Sequence, residues 1–175
     1  MVIRILNAND AETYHKLRLR ALRDHPEAFL SSYEDEKDMP LAMVQTRLQA
    51  DQDRFTLGAF NDNGELTGIV TFIRESREKV KHKGLVVAVY VSPEARKLRL
   101  GFALMQELIA KAAQLEGVEI LNLAVMSGNE AAVRLYESLG FTCYGKEKKA
   151  VKIGDTYYDD ELMSLDLSER SNPGR

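Results

Sequence analysis

A chain of 175 residues, 45% apolar and 29% charged, has the composition of one ordinary globular domain and excludes collagen-like, low-complexity and wholly disordered readings. Its 24 basic and 27 acidic residues leave a net charge of −3, so nothing global favours nucleic acid, and its longest apolar run, from Leu85 to Val91, is far short of the ~20 residues that cross a bilayer. The lone cysteine, Cys143, excludes an intramolecular disulfide, and the amino terminus carries no basic-then-apolar leader, so a cytoplasmic protein away from the membrane is expected.

Val2 to Leu6 is short and β-branched and runs into Asn7-Ala-Asn-Asp10, a set of helix-capping side chains, so a strand followed by a helix is predicted. In that helix Tyr14, Leu17, Ala21 and Leu22 form the buried stripe while Arg18, Arg20 and Arg23 point elsewhere, and the end falls near His25-Pro26. Glu27 to Met39 reads as a loop or broken helix, after which Pro40 opens a second helix with Leu41, Val44 and Leu48 at helical spacing. Phe55–Phe60 and Leu66–Ile73, joined through Asp62-Asn-Gly64, make a hairpin, because asparagine and glycine tolerate the positive φ of a tight turn. Charged residues from Arg74 to Lys83 form a loop, and Leu85–Val91 suits a central strand buried on both faces.

Helical spacing returns from Gly101 to Leu115, followed by a buried strand at Ile120–Val125; strand, helix, strand is a right-handed βαβ crossover between parallel strands. A helix from Asn129 to Leu139 stops at Gly140, and Phe141–Tyr144 with Ala150–Leu167, turning at Gly154-Asp155, supplies a final hairpin. Residues 1–168 are expected to form a single domain and 169–175 a short flexible tail. The class is α+β (α/β): about seven mainly antiparallel strands, about four helices and one parallel crossover.

Two stretches carry chemistry. From Val91 to Ala103 the chain leaves a buried strand, crosses a basic loop with Arg96, Lys97 and Arg99, and enters a helix. Unpaired N–H groups and the dipole of a first helical turn suit a pyrophosphate, although a solvated basic loop has the same composition, and no G-x-G-x-x-G or G-x-x-x-x-G-K-[ST] motif is present. In the second stretch, Asn129 to Phe141, seven helical steps bring Asn129 and Tyr136 to one face ~10 Å apart, where an elongated ligand could touch both; the alternative is a core tyrosine.

Both stretches resemble signatures of the GCN5-related N-acetyltransferase (GNAT) superfamily. Val91-Ser-Pro93 followed by Arg96-Lys-Leu-Arg-Leu-Gly101 is similar to V-x-P and [QR]-x-x-G-x-[GA], and Asn129, Ala132, Leu135, Tyr136, Gly140 and Phe141 complete N-x-x-A-x-x-L-Y-x-x-x-G-F. One position departs: Arg99 stands where the family places its first glycine, and it is expected at the first helical turn with its guanidinium on phosphate.

The resemblance implies a GNAT fold and transfer of an acetyl group from acetyl-CoA, as co-substrate and without a metal, to a primary amine by direct attack in a ternary complex. It implies Tyr136 as the acid that protonates the departing thiolate. Backbone of Val89, Tyr90 and Val91 would pair with the pantetheine arm, Asn129 would hold that arm from the other side, and Arg96, Lys97, Leu98, Arg99, Leu100, Gly101, Phe102 and Ala103 would hold the pyrophosphate. The base is open among Glu34, Glu36, Glu75 and His82, each otherwise a solvated surface residue, or a water chain. Cys143 reads as a small buried residue. Tyr33 and Glu34, in the acidic segment from Phe29 to Glu36, are candidates for contact with the amine acceptor, a small molecule or a protein amino group. An acyl-CoA-binding regulatory module without turnover is the alternative, and a homodimer through the terminal hairpin is left open.

Overall fold

In the computed structural model, residues 1–168 are described, apart from the side chains of Lys97 and Leu98; the expected tail, 169–175, lies outside the described residues. Strand β1 (Val2–Ile5) is followed by the Asn7–Asp10 cap, in which Asn7 Oδ1 accepts from the Asn9 N–H and Asp10 Oδ2 from the Asn7 N–H, and the chain enters helix α1 (Ala11–Asp24). The broken stretch that follows holds a 3-10 turn (Pro26–Ala28) and a one-turn helix α2 (Tyr33–Glu36), capped reciprocally by Ser32 and Asp35, before α3 (Leu41–Arg47). Strands β2 (Arg54–Phe60) and β3 (Leu66–Arg74) form the expected hairpin, with Gly64 at φ 79° where a side chain would be strained.

The second half runs β4 (Lys83–Val91), a 3-10 segment (Pro93–Leu98), α4 (Leu100–Ala113), β5 (Ile120–Met126), α5 (Glu130–Ser138), β6 (Thr142–Ile153) and β7 (Thr156–Asp166). One seven-stranded sheet results, in the order β1-β2-β3-β4-β5-β7-β6, with β4 and β5 its parallel pair. Five α-helices are described where about four were expected, the addition being the short α2.

Each face of the sheet has its own core. On one, Leu100, Leu104 and Leu108 of α4 pack against Leu57, Phe72, Val86 and Leu121. On the other, Tyr14, Ala21 and Leu22 of α1 and Val44 of α3 cover Ile69 and Tyr90. Alternation along strands assigns the two faces, and cross-strand register carries each assignment over the whole sheet.

Several expectations change. β6 is continuous, because its polar middle still pairs with β7, but it bulges: Glu147 faces Asp160 and Val151 faces Tyr158, so three β6 residues lie opposite one. Lys149 takes φ 54° there. Cys143 is exposed rather than buried, since β6 is the edge strand. Arg18 joins the buried stripe of α1 and Glu36 is 2% exposed, because the two pair with each other. Nor is β4 buried throughout: Val87 is 37% exposed, since its neighbour on that side has parted from it.

Candidate active site

β4 and β5 share ladder pairs only from Lys83–Leu85 to Ile120–Asn122, although both strands continue to Val91 and Met126. The cause lies in β4. Thr71 pairs with Val87 but Ile69 pairs with Tyr90, so β4 carries one extra residue, and Ala88 sits in the bulge at φ 54°. Past this point the sheet opens into a cleft of about 1400 Å³ that runs from α4 and α5, between the parted strands, to the face covered by α1 and α3.

At the α4 end, Val89, Tyr90, Val91, Arg96, Arg99, Gly101, Phe102, Asn129 and Tyr136 are brought together on the cleft wall. Leu100 points into the core at 2% exposure, so only its backbone can face a ligand, and Ala103 is half-buried in the next half turn. The side chains of Lys97 and Leu98 lie outside what is described. The Tyr90 ring belongs to the α1 core, its hydroxyl buried with no hydrogen-bond partner among the described residues and its pKa pushed up by burial. Asn129 caps α5: its Oδ1 accepts from the Ala132 N–H at 3.2 Å, which leaves its amide Nδ2 for the cleft. Tyr136 is 7% exposed, and burial pushes its pKa up to about 12, so the phenol keeps its proton at neutral pH.

The basic loop differs from the expectation. Arg96 folds back, its Nε donating to the Val91 carbonyl at 3.2 Å and its Nη2 lying 2.7 Å from His25 Nε2. Arg99 does not lie within the first helical turn. It is the N-cap of α4 in the left-handed conformation, φ 54° and ψ 24°, with its guanidinium 5.9 Å from the Phe102 ring centre.

At the other end, the sheet face under α1 and α3 is the floor. Arg54, Thr71 and Ile73 lie toward β2, Ala124 and Met126 in the middle, and Asp160 and Glu147 toward β6. The roof comes from Arg18, Phe29–Ser31, Met43 and Arg47. Charge is divided along this chamber, with arginines at the β2 end and carboxylates at the β6 end. Asp160 has its pKa raised, first by burial and then by Glu147 and Asp159.

Glu36 holds the roof together. Its Oε2 accepts from Arg18 Nε at 2.7 Å and Arg47 Nη1 at 2.9 Å, and its Oε1 from Arg18 Nη2 at 2.7 Å. Burial alone would raise its pKa, but the two guanidiniums outweigh that and lower it to about 2, which removes it as a base. Glu34 pairs with Lys37 at the surface and Tyr33 lies beside Arg23, so neither acceptor candidate lines the cleft; nor do Glu75 and His82. Sequence reading missed Arg54, Glu27, Glu147 and Asp160. The two β-hairpin carboxylates are visible in the sequence only once the β6 bulge is known.

Residues 13–141 match the family model described as acetyltransferase (GNAT) family. Among curated proteins the chain is similar to the L-amino acid N-acyltransferase MnaT of Escherichia coli (strain K12), with 29% identity over 117 residues, 64% of each chain. It also resembles the L-methionine sulfoximine/L-methionine sulfone acetyltransferase of Salmonella typhimurium, 32% identical over 118 residues, 64% of this chain and 65% of that one. These matches thus span just under two thirds of the curated relatives. Among solved structures, an acetyltransferase of the GNAT family from Streptococcus pneumoniae superposes with a TM-score of 0.83 at 25% identity, covering 94% of this chain and 98% of that one. The Salmonella typhimurium protein yncA, solved with its cofactor acetyl-CoA, does so with 0.82 at 26% identity, covering 99% and 98%. No helix among the described residues is long and apolar enough to cross a membrane.

Proposed function

Because the chain belongs to the acetyltransferase (GNAT) family, we propose that it transfers an acetyl group from acetyl-CoA to the primary amine of a small molecule, with both substrates bound together. The observation that carries this reading is the early end of the β4–β5 ladder. It leaves the edge of β4 from Val86 to Val91 without strand partners among the described residues on the side of the cleft, in the way an extended arm needs for added-strand pairing. Around that edge the residues fit the rest of acetyl-CoA. Arg96 and Arg99 stand at the mouth beside the first turn of α4, where the N–H groups of a helix start favour an anion, and the Asn129 amide nitrogen has no partner among the described residues. Acetyl-CoA supplies an acetyl group already activated as a thioester.

The protein's own groups then divide two proton tasks. An ammonium must lose a proton before its nitrogen can attack, and the leaving sulfur gains from a donor. Tyr136, held protonated by its burial, is that donor. Asp160, its carboxyl pKa raised by burial and by Glu147 opposite, takes the proton of the amine. The roof segment from Phe29 to Ser31 closes over the acceptor in place of Tyr33 and Glu34. A cytoplasmic location fits the exposed single thiol.

A panel of primary amines screened for thiol release from acetyl-CoA tests the reading. Tyr136→Phe is expected to lower kcat about 100-fold with little change in acetyl-CoA affinity, and Asp160→Asn to lower kcat/KM similarly and to remove the acid limb of its pH profile. Binding of acetyl-CoA without thiol release from any amine would replace this reading with that of an acyl-CoA-binding module. A rate indifferent to Tyr136 would remove the assignment of the acid.

A further inference from the structure

Arg54 opens β2 with its backbone N–H on Asp51 Oδ1 at 2.8 Å, but its guanidinium makes no hydrogen bond or ion pair among the described residues. Its Nε is buried, with no acceptor among the described residues. The nearest acids in sequence are engaged elsewhere: Asp51 Oδ1 takes the N–H groups of residues 53 and 54, and Asp53 lies 3.8 Å from Arg74. Across the chamber, Arg18 and Arg47 share the single carboxylate of Glu36, and Nε and Nη2 of Arg47 have no partner among the described residues. Among the described residues, three guanidiniums therefore face this end of the cleft against one carboxylate. A half-buried arginine with no anion weakens a fold, because its desolvation is not offset by any partner. Such an arrangement is explained when the missing anion arrives with a ligand.

Position says which ligand. Arg54 lies on the acceptor side of the cleft, on the same sheet face as Thr71 and Ile73. Val87, beside the β4 bulge, is level with Thr71 and therefore with Thr56, so β2 stands two strand spacings, ~10 Å, from the opening. An arginine side chain covers much of that span. A small amine reacting at the opening can thus reach the guanidinium through a group only a few bonds from its nitrogen. The rim is apolar, with Leu30 90% and Met43 58% exposed, and offers room for an uncharged body.

We propose that Arg54 is a specificity-determining residue that binds an acidic group, in its simplest form a carboxylate, on an acceptor amine with an apolar body. The planar fork of Arg54 takes the two oxygens, and the free edge of Arg47 lies on the same end of the chamber. This inference rests on the acetyltransferase reading above and narrows its acceptor.

The test follows thiol release at saturating acetyl-CoA with leucine, methionine and phenylalanine, each beside its primary amide and its decarboxylated amine. The acids are expected to exceed their neutral partners in kcat/KM by about 10- to 100-fold, the range of a charge-assisted pair. Arg54→Gln should lower kcat/KM for the acids by that factor and leave the amides unchanged, and Arg54→Lys should recover part of the loss. Equal kcat/KM for acids, amides and simple amines in the native protein overturns the inference and leaves acetyl transfer standing; this comparison needs no variant to fold. An Arg54→Gln protein that binds acetyl-CoA normally yet loses acids and amides alike also overturns it. Absence of thiol release with every amine, together with absence of acetyl-CoA binding in calorimetry, overturns the acetyltransferase reading instead.

Discussion

Position 99 joins two opposed requirements. The chain must leave the 3-10 segment Pro93–Leu98 and start α4 on a new axis, and a left-handed residue makes that break. Glycine does so at little cost, whereas a residue with a Cβ gives up roughly 1 kcal/mol. Arginine retains a cation at the mouth of the cleft in exchange. Arg99→Gly is therefore expected to raise unfolding stability by about 1 kcal/mol in urea titration, and to weaken acetyl-CoA binding about 5- to 10-fold in calorimetry. Unchanged or tighter binding would mean that the guanidinium does not touch phosphate. The sequence locates this residue but not its conformation, since the same letters suit a first helical turn. By contrast, the shared helix face of Asn129 and Tyr136 is legible in the sequence, because seven steps along one helix are local geometry.

Among the elements, α1, α2 and α3 form a roof fastened through one carboxylate. Nothing local in Tyr33–Glu36 distinguishes Glu36 from Glu34; the difference comes from Arg18 and Arg47, 18 and 11 positions away. That is why Glu36 reads as a surface residue from sequence and proves to be buried. Its pKa falls from 4.5 to about 2, so the folded state binds its proton more weakly than the unfolded chain. The stabilisation is then fully present above pH ~4.5 and is lost as the pH falls toward 2, a contribution on the order of 3 kcal/mol. Glu36→Gln should be strongly destabilised at pH 6, and its deficit relative to native should shrink between pH 4.5 and pH 2.5 in denaturant titrations. A deficit constant over that range would show that the ion pairs are not what fastens the roof.

The β6–β7 hairpin likewise pairs residues that local counting keeps apart. Counting outward from the Gly154-Asp155 turn without interruption would set Lys149 opposite Asp160, an attractive pair. The two-residue bulge slides Glu147 into that place and sends Lys149 to the Tyr157 ring, 4.8 Å away. Two carboxylates opposite each other on neighbouring strands cost stability, and they do so on the cleft wall.

At the scale of the whole molecule, the order of strands and helices and the single parallel crossover can be read from the chain, because periodicity and turn residues act locally. The cleft cannot, because it depends on an extra residue in β4 that alters no pattern. The consequence is mechanical. Among the described residues, five of the six strand junctions are longer ladders, while β4 and β5 are joined by three rungs. The sheet is a pair of leaves on a short hinge, and a ligand lying between them is a brace. Acetyl-CoA at 100 times its dissociation constant should accordingly stabilise the fold by about 2.7 kcal/mol. Hydrogen exchange should show where that gain resides: slowed at the amides of Leu85–Val91 and Leu121–Met126, and little changed at β1 and the outer end of β6. Uniform slowing across all seven strands would mean that the leaves do not move apart.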